Sequence, residues 1–176
     1  MDHFMEEIVV KHKRLGNDLL YYLSNVSMVL FALIGFWMLT NLFTAFSILT
    51  LVITVFFCGS AALLYVYRDR LRTEYEYTFT NGDLDFAMVF NNQKRKNLGT
   101  MRVKNVEAFG LVNSERFRKF INMPGMTRRN WFLNRDANLY YFYYQKESTR
   151  TIIVMEPSQE LVDTIKKYLP HGVYQG

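Results

Sequence analysis

The sequence predicts an α-helical membrane hairpin followed by a soluble, mainly β domain that ends in a helix. Three observations support this fold class. No charged residue occurs among the 49 positions from Leu19 to Tyr67. Polar and apolar residues alternate at several places between residues 75 and 155. An apolar stripe with helical spacing follows Pro157.

The uncharged stretch, residues 19–67, is long enough to cross a membrane twice, because one crossing needs about 20 mostly apolar residues. Backbone amides cannot stay unpaired in hydrocarbon, so both crossings are expected to be helices, at about 19–40 and 46–67. A signal peptide is the alternative for the first crossing. The stretch is longer than a signal peptide's apolar region, lacks a clear cleavage site and runs at once into a second span. A retained anchor is therefore expected.

Lysine and arginine counts predict the orientation of the hairpin, since short cytoplasmic flanks are enriched in these residues. The loop between the helices, around 41–45, carries none. Both termini are therefore expected in the cytoplasm, which makes the chain a multi-pass protein of the cell membrane. The flanking cations are Lys11, Lys13 and Arg14 before the first helix, and Arg68, Arg70 and Arg72 after the second.

Residues 1–18 form an amphipathic segment before the membrane hairpin. Its apolar residues, at positions 4, 5, 8, 9 and 15, recur near helical spacing with charged residues between them. This pattern predicts an amphipathic helix at the membrane interface or on the soluble domain. The alternative is that the segment extends the first membrane helix, and the sequence leaves the two open.

The soluble region, residues 68–176, has the size of one domain and carries a formal charge of +6. A basic domain tethered to the cytoplasmic leaflet is attracted to anionic headgroups. Alternatively, the positive excess serves only topology and solubility. Neither interpretation requires nucleic acid.

The first part of this region reads as a β-hairpin. Tyr75, Tyr77 and Phe79 alternate with polar residues, which is the pattern of a half-buried strand. Asn81-Gly82 follows and favours a type I′ turn, because both positions tolerate positive φ. A returning strand is expected from residue 84 to residue 90.

The rest of the domain is expected to add strands and a final helix. The aromatic run Tyr140–Tyr144 places rings on both faces of a strand, which predicts a central strand with one face in the core and the other under a loop or helix. No regular element is assigned to residues 113–138. The predicted elements are a basic turn at 91–97, strands at 98–103, 106–112, 139–144 and 151–155, a turn at 146–150, and a helix at about 158–169.

The stretch Glu74–Leu84 resembles the first hairpin of bacterial pleckstrin-homology (PH)-like domains, particularly the YcxB-like membrane proteins. Those proteins also place two membrane helices before a cytoplasmic β domain. The stretch Val103–Glu107 and the late helix after Glu156-Pro157 are similar in order, so the resemblance covers residues 1–112 and 139–170.

This resemblance implies an antiparallel β barrel or sandwich that is capped by the C-terminal helix. It also implies a cytoplasmic binding or scaffolding module, and it supplies no active site to transfer. In relatives of the fold, basic residues of the first strand-turn hold phosphoinositides. Here Lys94, Arg95 and Lys96 are expected in the second turn instead.

The sequence contains no recognisable catalytic or metal-binding motif. The single cysteine, Cys58, lies in the second predicted membrane helix, which excludes a disulfide framework and thiolate metal sites. The three histidines are far apart, and no nucleotide-binding glycine pattern occurs. No cofactor or metal is therefore expected. Asp83 and Asp85 lie beside the hairpin turn and are expected to be solvated turn residues rather than paired catalytic carboxylates.

Two function hypotheses follow. The preferred one is a non-enzymatic, membrane-anchored interaction or scaffolding module that binds a protein partner or anionic lipid at the cytoplasmic leaflet. The alternative is a membrane enzyme, or an accessory subunit of a membrane complex, with carboxylates such as Asp83, Asp85 or Asp136 at the junction of domain and bilayer. Self-association of the hairpin is a further hypothesis. The candidate partner or lipid contacts are Lys94, Arg95, Lys96, Arg128, Arg129 and Trp131.

Overall fold

The computed structural model describes residues 3–146 and 148–175. These residues form two compact units. The helical unit contains residues 13–73 and 90–93. The β unit contains the described residues of the ranges 1–12, 74–89 and 94–176. Met1 and Asp2 of the predicted amphipathic segment, and Glu147 of the predicted turn at 146–150, lie outside the described residues.

The helical unit is an antiparallel pair of long apolar helices, α1 (Leu15–Thr44) and α2 (Ile48–Tyr67). Each is long and apolar enough to cross a membrane. The helices approach closely at Gly35, where a Cβ would lie 2.7 Å from the Cys58 Sγ. Gly35 is the only buried residue of α1, and most large apolar side chains of both helices are exposed. Such helices are consistent with a membrane anchor of two helices.

Arginines and aromatic rings meet where the two helices join the rest of the chain. A 3₁₀ turn, Arg68–Arg72, follows α2. Arg72 Nε lies 2.8 Å from Asp18 Oδ1, and its guanidinium carbon lies 4.1 Å from the centre of the Tyr21 ring. The Arg68 guanidinium donates to Asn25 Oδ1. Cations and rings at one helix end are typical of a membrane interface.

The segment before α1 is a strand, so both helical interpretations of it are wrong. β1 (Phe4–Val9) pairs antiparallel with β2 (Thr73–Thr80), from Phe4↔Thr80 to Val9↔Tyr75. The inward side chains of β1 are at positions 5, 7 and 9. Because position 7 is a glutamate, the apolar alternation of a strand is interrupted. The helical hairpin is therefore inserted in the chain between two paired strands.

The first sheet has four strands in the order β1-β2-β3-β4. β3 (Asp83–Phe90) follows a turn at Asn81 and Gly82, whose φ values of 48° and 96° confirm the predicted type I′ turn. The next turn is shorter than predicted. Asn91 and Asn92 take positive φ, and β4 (Lys94–Arg102) begins directly after Gln93. The prediction that Lys94–Lys96 lie in a turn is therefore wrong, since they open a strand.

The second sheet has five strands in the order β6-β8-β7-β5-β9. Its central strand is the predicted aromatic one. Phe142 faces the main core, whereas Tyr141 and Tyr143 face a second apolar cluster under the helix α3 (Glu115–Ile121). The prediction of a central strand covered on both faces is confirmed. The strands are β5 (Ala108–Leu111), β6 (Met126–Trp131), β7 (Tyr140–Lys146), β8 (Thr149–Met155) and β9 (Tyr174–Gln175).

The main core lies between the two sheets and is closed by α4 (Gln159–Lys166). Ser158 caps this helix by accepting a hydrogen bond from the Leu161 N–H at 3.2 Å. Leu161, Val162 and Ile165 are fully buried. The helix is shorter than the predicted 158–169 because turns replace its last part. The predicted fold class, two apolar helices followed by a mostly β domain with a C-terminal helix, is confirmed.

Candidate functional site

Two free sheet edges carry the predicted basic residues. The β4 edge, Lys94–Arg102, ends the first sheet, and the β6 edge, Met126–Trp131, ends the second. The two edges approach each other at Gly99, where a Cβ would lie 3.8 Å from Arg129 Nη1 and 4.0 Å from Trp131 Cη2. The structure therefore brings the two edges together at Gly99, three to five residues beyond Lys94–Lys96.

Carboxylates on β2 and β3 neutralise the β4 edge. Arg95 Nη2 lies 2.7 Å from Glu76 Oε1 on β2. Arg102 Nε lies 3.6 Å from Asp83 Oδ1 on β3. Lys94 and Lys96 are exposed at the start of the strand. Much of the positive charge of this edge is thus matched within the sheet.

The outer face of the first sheet also holds a pair of close carboxyl groups. Glu6 of β1 and Glu76 of β2 share a hydrogen bond beside Arg95. Burial raises the pKa of Glu76, and its hydrogen bond with Glu6 raises it further, whereas Arg95 lowers it. These residues line an open groove of about 590 Å³ that crosses all four strands. The groove is lined by both charged and apolar side chains.

The β6 edge differs because its cations have no carboxylate partners among the residues that the structure describes. The Arg128 guanidinium donates to the Ile121 carbonyl at the end of α3. The Arg129 guanidinium lies 5.7 Å from the centre of the Trp131 ring. The segment from the start of α3 to Arg135 contains six cations and one acidic residue, Glu115. None of the six cations forms an ion pair with a carboxylate within residues 3–146 and 148–175. These α3–β6 cations are Arg116, Arg118, Lys119, Arg128, Arg129 and Arg135.

Trp131 belongs to the core rather than to the exposed surface. Only 8% of the residue is exposed, and its ring lies 4.6 Å from that of Phe86. The Tyr77 hydroxyl donates to its carbonyl. Solvated arginines therefore lie beside a buried tryptophan, and Trp131 is not accessible as the partner or lipid contact that the sequence predicted. The accessible contacts that the sequence predicted are therefore the five cations.

A polar network holds the end of β1 in the β unit. Asn134 accepts from the His12 N–H at 2.8 Å and donates to Val10 O and to Glu156 Oε1. The imidazole of His12 lies 3.4 Å from Asp136 Oδ2 and 3.7 Å from Glu156 Oε1. These contacts are structural, because each residue of the network links two segments of the β unit.

The carboxylates of the enzyme hypothesis do not come together. Asp85 accepts from the Thr100 hydroxyl, and Asp83 is paired with Arg102. Asp136 lies beside His12 instead. In the described part of the chain, no group of three or more His, Cys, Asp or Glu side chains is placed to hold a metal ion. Asp83 and Asp85 were expected to be solvated turn residues, but they lie in β3 and are half-buried.

Sequence reasoning missed α3 and β6 as elements, although it identified Arg128 and Arg129. One local signal for α3 is Ser114, which caps the helix by accepting from the Phe117 N–H at 3.3 Å. β6 gives no alternation, because residues 127–130 are all exposed. Its strand state comes from pairing with β8.

Comparison with known families gives one match, to the family described as bacterial PH-like domain (DUF6106), over residues 1–175. Comparison with curated proteins and with solved structures gives no match. The match spans the helical hairpin as well as the β strands, and it agrees with the resemblance read from Glu74–Leu84. The chain therefore belongs to the family of bacterial PH-like domains.

Proposed function

We propose that this protein is a non-enzymatic interaction module that is anchored in the cell membrane by its helical hairpin. Its β unit is cytoplasmic and binds a protein partner or anionic lipid at the cytoplasmic leaflet. The observation that carries the proposal is the set of α3–β6 cations, which are exposed to solvent without carboxylate partners. Unmatched cations near a leaflet attract anionic groups, by about 1 kcal/mol for each suitably placed residue.

The pairing of β1 with β2 supports the orientation. Val9 and Tyr75 are register partners, so the chain enters the hairpin and leaves it from the same end of the sheet. An even number of crossings returns the chain to the side on which it began. The lysine and arginine counts of the flanks favour the cytoplasm as that side.

The enzyme alternative has less support. Asp83 and Asp85 are engaged with β4, and Asp136 lies in a different part of the β unit. Asp85 lines the groove beside Glu76, but Thr100 donates to Asp85 and Arg95 pairs with Glu76, so both carboxylates are engaged within the sheet. An interaction module needs only an accessible surface, which the α3–β6 cations provide.

The test uses the full chain, because a truncation that removes residues 1–67 would also remove β1. Arg118→Glu/Arg129→Glu is compared with Lys104→Glu/Lys167→Glu, which changes the charge equally on segments that do not pair with β6. Photocrosslinking in cells reports protein partners. Hydrogen exchange in nanodiscs with and without phosphatidylglycerol reports lipid contact.

We expect the first variant to lose the crosslinked partner, or the lipid-dependent protection of α3 and β6, and the second to keep it. Equal behaviour of both variants and the parent protein would contradict the proposed basic surface.

A further inference from the structure

β6 is an edge strand of its sheet. The carbonyls of Asn130 and Trp131 at its end accept hydrogen bonds from the Tyr75 and Tyr77 hydroxyls, so the edge with which another strand could pair consists of residues 126–129. β6 pairs in parallel with β8, from Met126↔Arg150 to Trp131↔Met155. No described strand lies on its other side, since β6 ends the sheet. Alternate residues of such an edge direct their N–H and C=O groups outward, where another strand can pair with them.

The strand at the other end of this sheet, β9, is protected because it is short. β9 has only two residues, whereas β6 has six. Proteins often protect long edges with charge, and Arg128 and Arg129 serve that purpose against a second copy of the same basic strand. The same charges attract a strand of the opposite sign.

Charge complementarity identifies the kind of strand that fits. Consecutive residues of a strand point to opposite faces, so Arg128 and Arg129 flank the edge on both faces. The C-terminal end of α3 lies beside β6, because the Arg128 guanidinium donates a hydrogen bond to the Ile121 carbonyl. A strand with acidic residues on both faces would place carboxylates opposite these unmatched cations, where opposite charges stabilise cross-strand pairs.

We propose that the β6 edge binds an extended, acidic segment of a partner protein as an additional strand. This inference rests on the proposed function, and it names the partner's chemistry and its mode of binding. Backbone hydrogen bonds to the outward groups of β6 supply affinity, and carboxylates on the added strand pair with Arg128 and Arg129. A lipid headgroup would use the cations but not the backbone edge.

The experiment uses the full chain in nanodiscs of zwitterionic lipid and two short synthetic peptides. One peptide repeats Glu-Glu-Thr-Thr, and the other repeats Glu-Glu-Pro-Pro, so both place carboxylates on both faces of a strand. Both carry the same charge, but the prolines remove N–H groups from both edges of the strand, and the ladder cannot be completed in either register. Binding is measured by fluorescence anisotropy, and the amides of residues 126–131 are followed by hydrogen exchange.

We expect the Glu-Thr peptide to bind about tenfold or more tightly than the Glu-Pro peptide, because several backbone hydrogen bonds are lost in the latter. Protection should appear at alternate amides of β6. Arg128→Glu/Arg129→Glu should weaken binding by at least a similar factor, whereas Lys104→Glu/Lys167→Glu should leave it unchanged.

Equal binding of the two peptides would overturn strand addition while leaving the basic surface of the proposed function intact. No binding of either peptide would overturn the acidic partner segment. Loss of peptide binding when phosphatidylglycerol is added would assign the surface to lipid and would also overturn the inference. Hydrogen exchange requires no substitution, so the test does not depend on whether a variant folds.

Discussion

The two basic edges of the β unit have similar composition but different electrostatic environments. Arg95 and Arg102 of the β4 edge pair with Glu76 on β2 and Asp83 on β3. The β6 edge pairs with β8, which contains no acidic residue. A basic cluster in a sequence is therefore available for binding only where the neighbouring strands leave its charge unmatched.

The substitution with the largest expected effect on stability tests whether Trp131, at the point where the two edges meet, belongs to the core or to the exposed surface. Trp131→Ala should lower the free energy of unfolding by about 3–5 kcal/mol, because the indole is buried against Phe86. Chemical denaturation of the full chain in detergent measures this change. A near-neutral effect on stability would return Trp131 to the exposed binding surface.

The next prediction concerns the close approach of the edges at Gly99. Its φ of 147° lies in the region that residues with a Cβ rarely adopt. Gly99→Ala should therefore cost about 1–3 kcal/mol in the same denaturation experiment. Lys96→Ala, at an exposed position of the same strand, serves as the control and should have little effect. If the two variants were equally stable, the backbone at Gly99 would not be constrained.

A smaller effect should appear in the pH dependence of the neutralised edge. The pKa of Glu76 is raised in the folded state, chiefly by burial, so the folded protein favours the protonated form. The stability that this proton contributes is present below the unfolded pKa, near 4.5, and is lost as the pH rises through the folded pKa. Glu76→Gln should reduce this decline of the free energy of unfolding with rising pH.

Denaturation at a series of pH values measures that slope, with the exposed Glu107→Gln as the control. The expected difference is below about 1 kcal/mol, since the variant also weakens the ion pair with Arg95. A steeper decline in Glu76→Gln than in the parent protein would contradict the assigned direction.

The smallest expected effect on stability is that of Arg129→Ala. The arginine is exposed, and its contact with the Trp131 ring is worth about 0.5–1 kcal/mol. The stability of Arg129→Ala should therefore be close to that of the parent protein, in contrast to that of Trp131→Ala. A loss of more than about 2 kcal/mol would mean that Arg129 is structural and would weaken its assignment to a binding surface.

The sequence was sufficient where the signal is local. The uncharged stretch indicates the two helices, Asn81-Gly82 indicates the turn, and the apolar stripe after Pro157 indicates α4. β1 was missed because its inward Glu7 breaks the alternation. The partner of that glutamate, the Ser158 N–H at 2.7 Å, is distant in the chain.

The candidate site was predictable in charge but not in geometry. Arg128 and Arg129 are evident as cations, yet their strand state depends on the register with β8. Likewise, the charge of Arg95 is matched by a carboxylate only because folding brings β4 near Glu76. Cross-strand neighbours of this kind are set by tertiary structure, and no local pattern encodes them.

The pairing of β1 with β2 has a consequence for biogenesis. The ribosome synthesises β1 first, but β2 follows only after both helices, about 60 residues later. In a hairpin that spans a bilayer, β1 must wait unpaired while the helices insert. A chain that inserted only one helix would hold the two strands on opposite sides of the membrane, and the sheet could not close. In such a hairpin, the pairing of β1 with β2 can therefore complete only when the chain has returned to the side where it started.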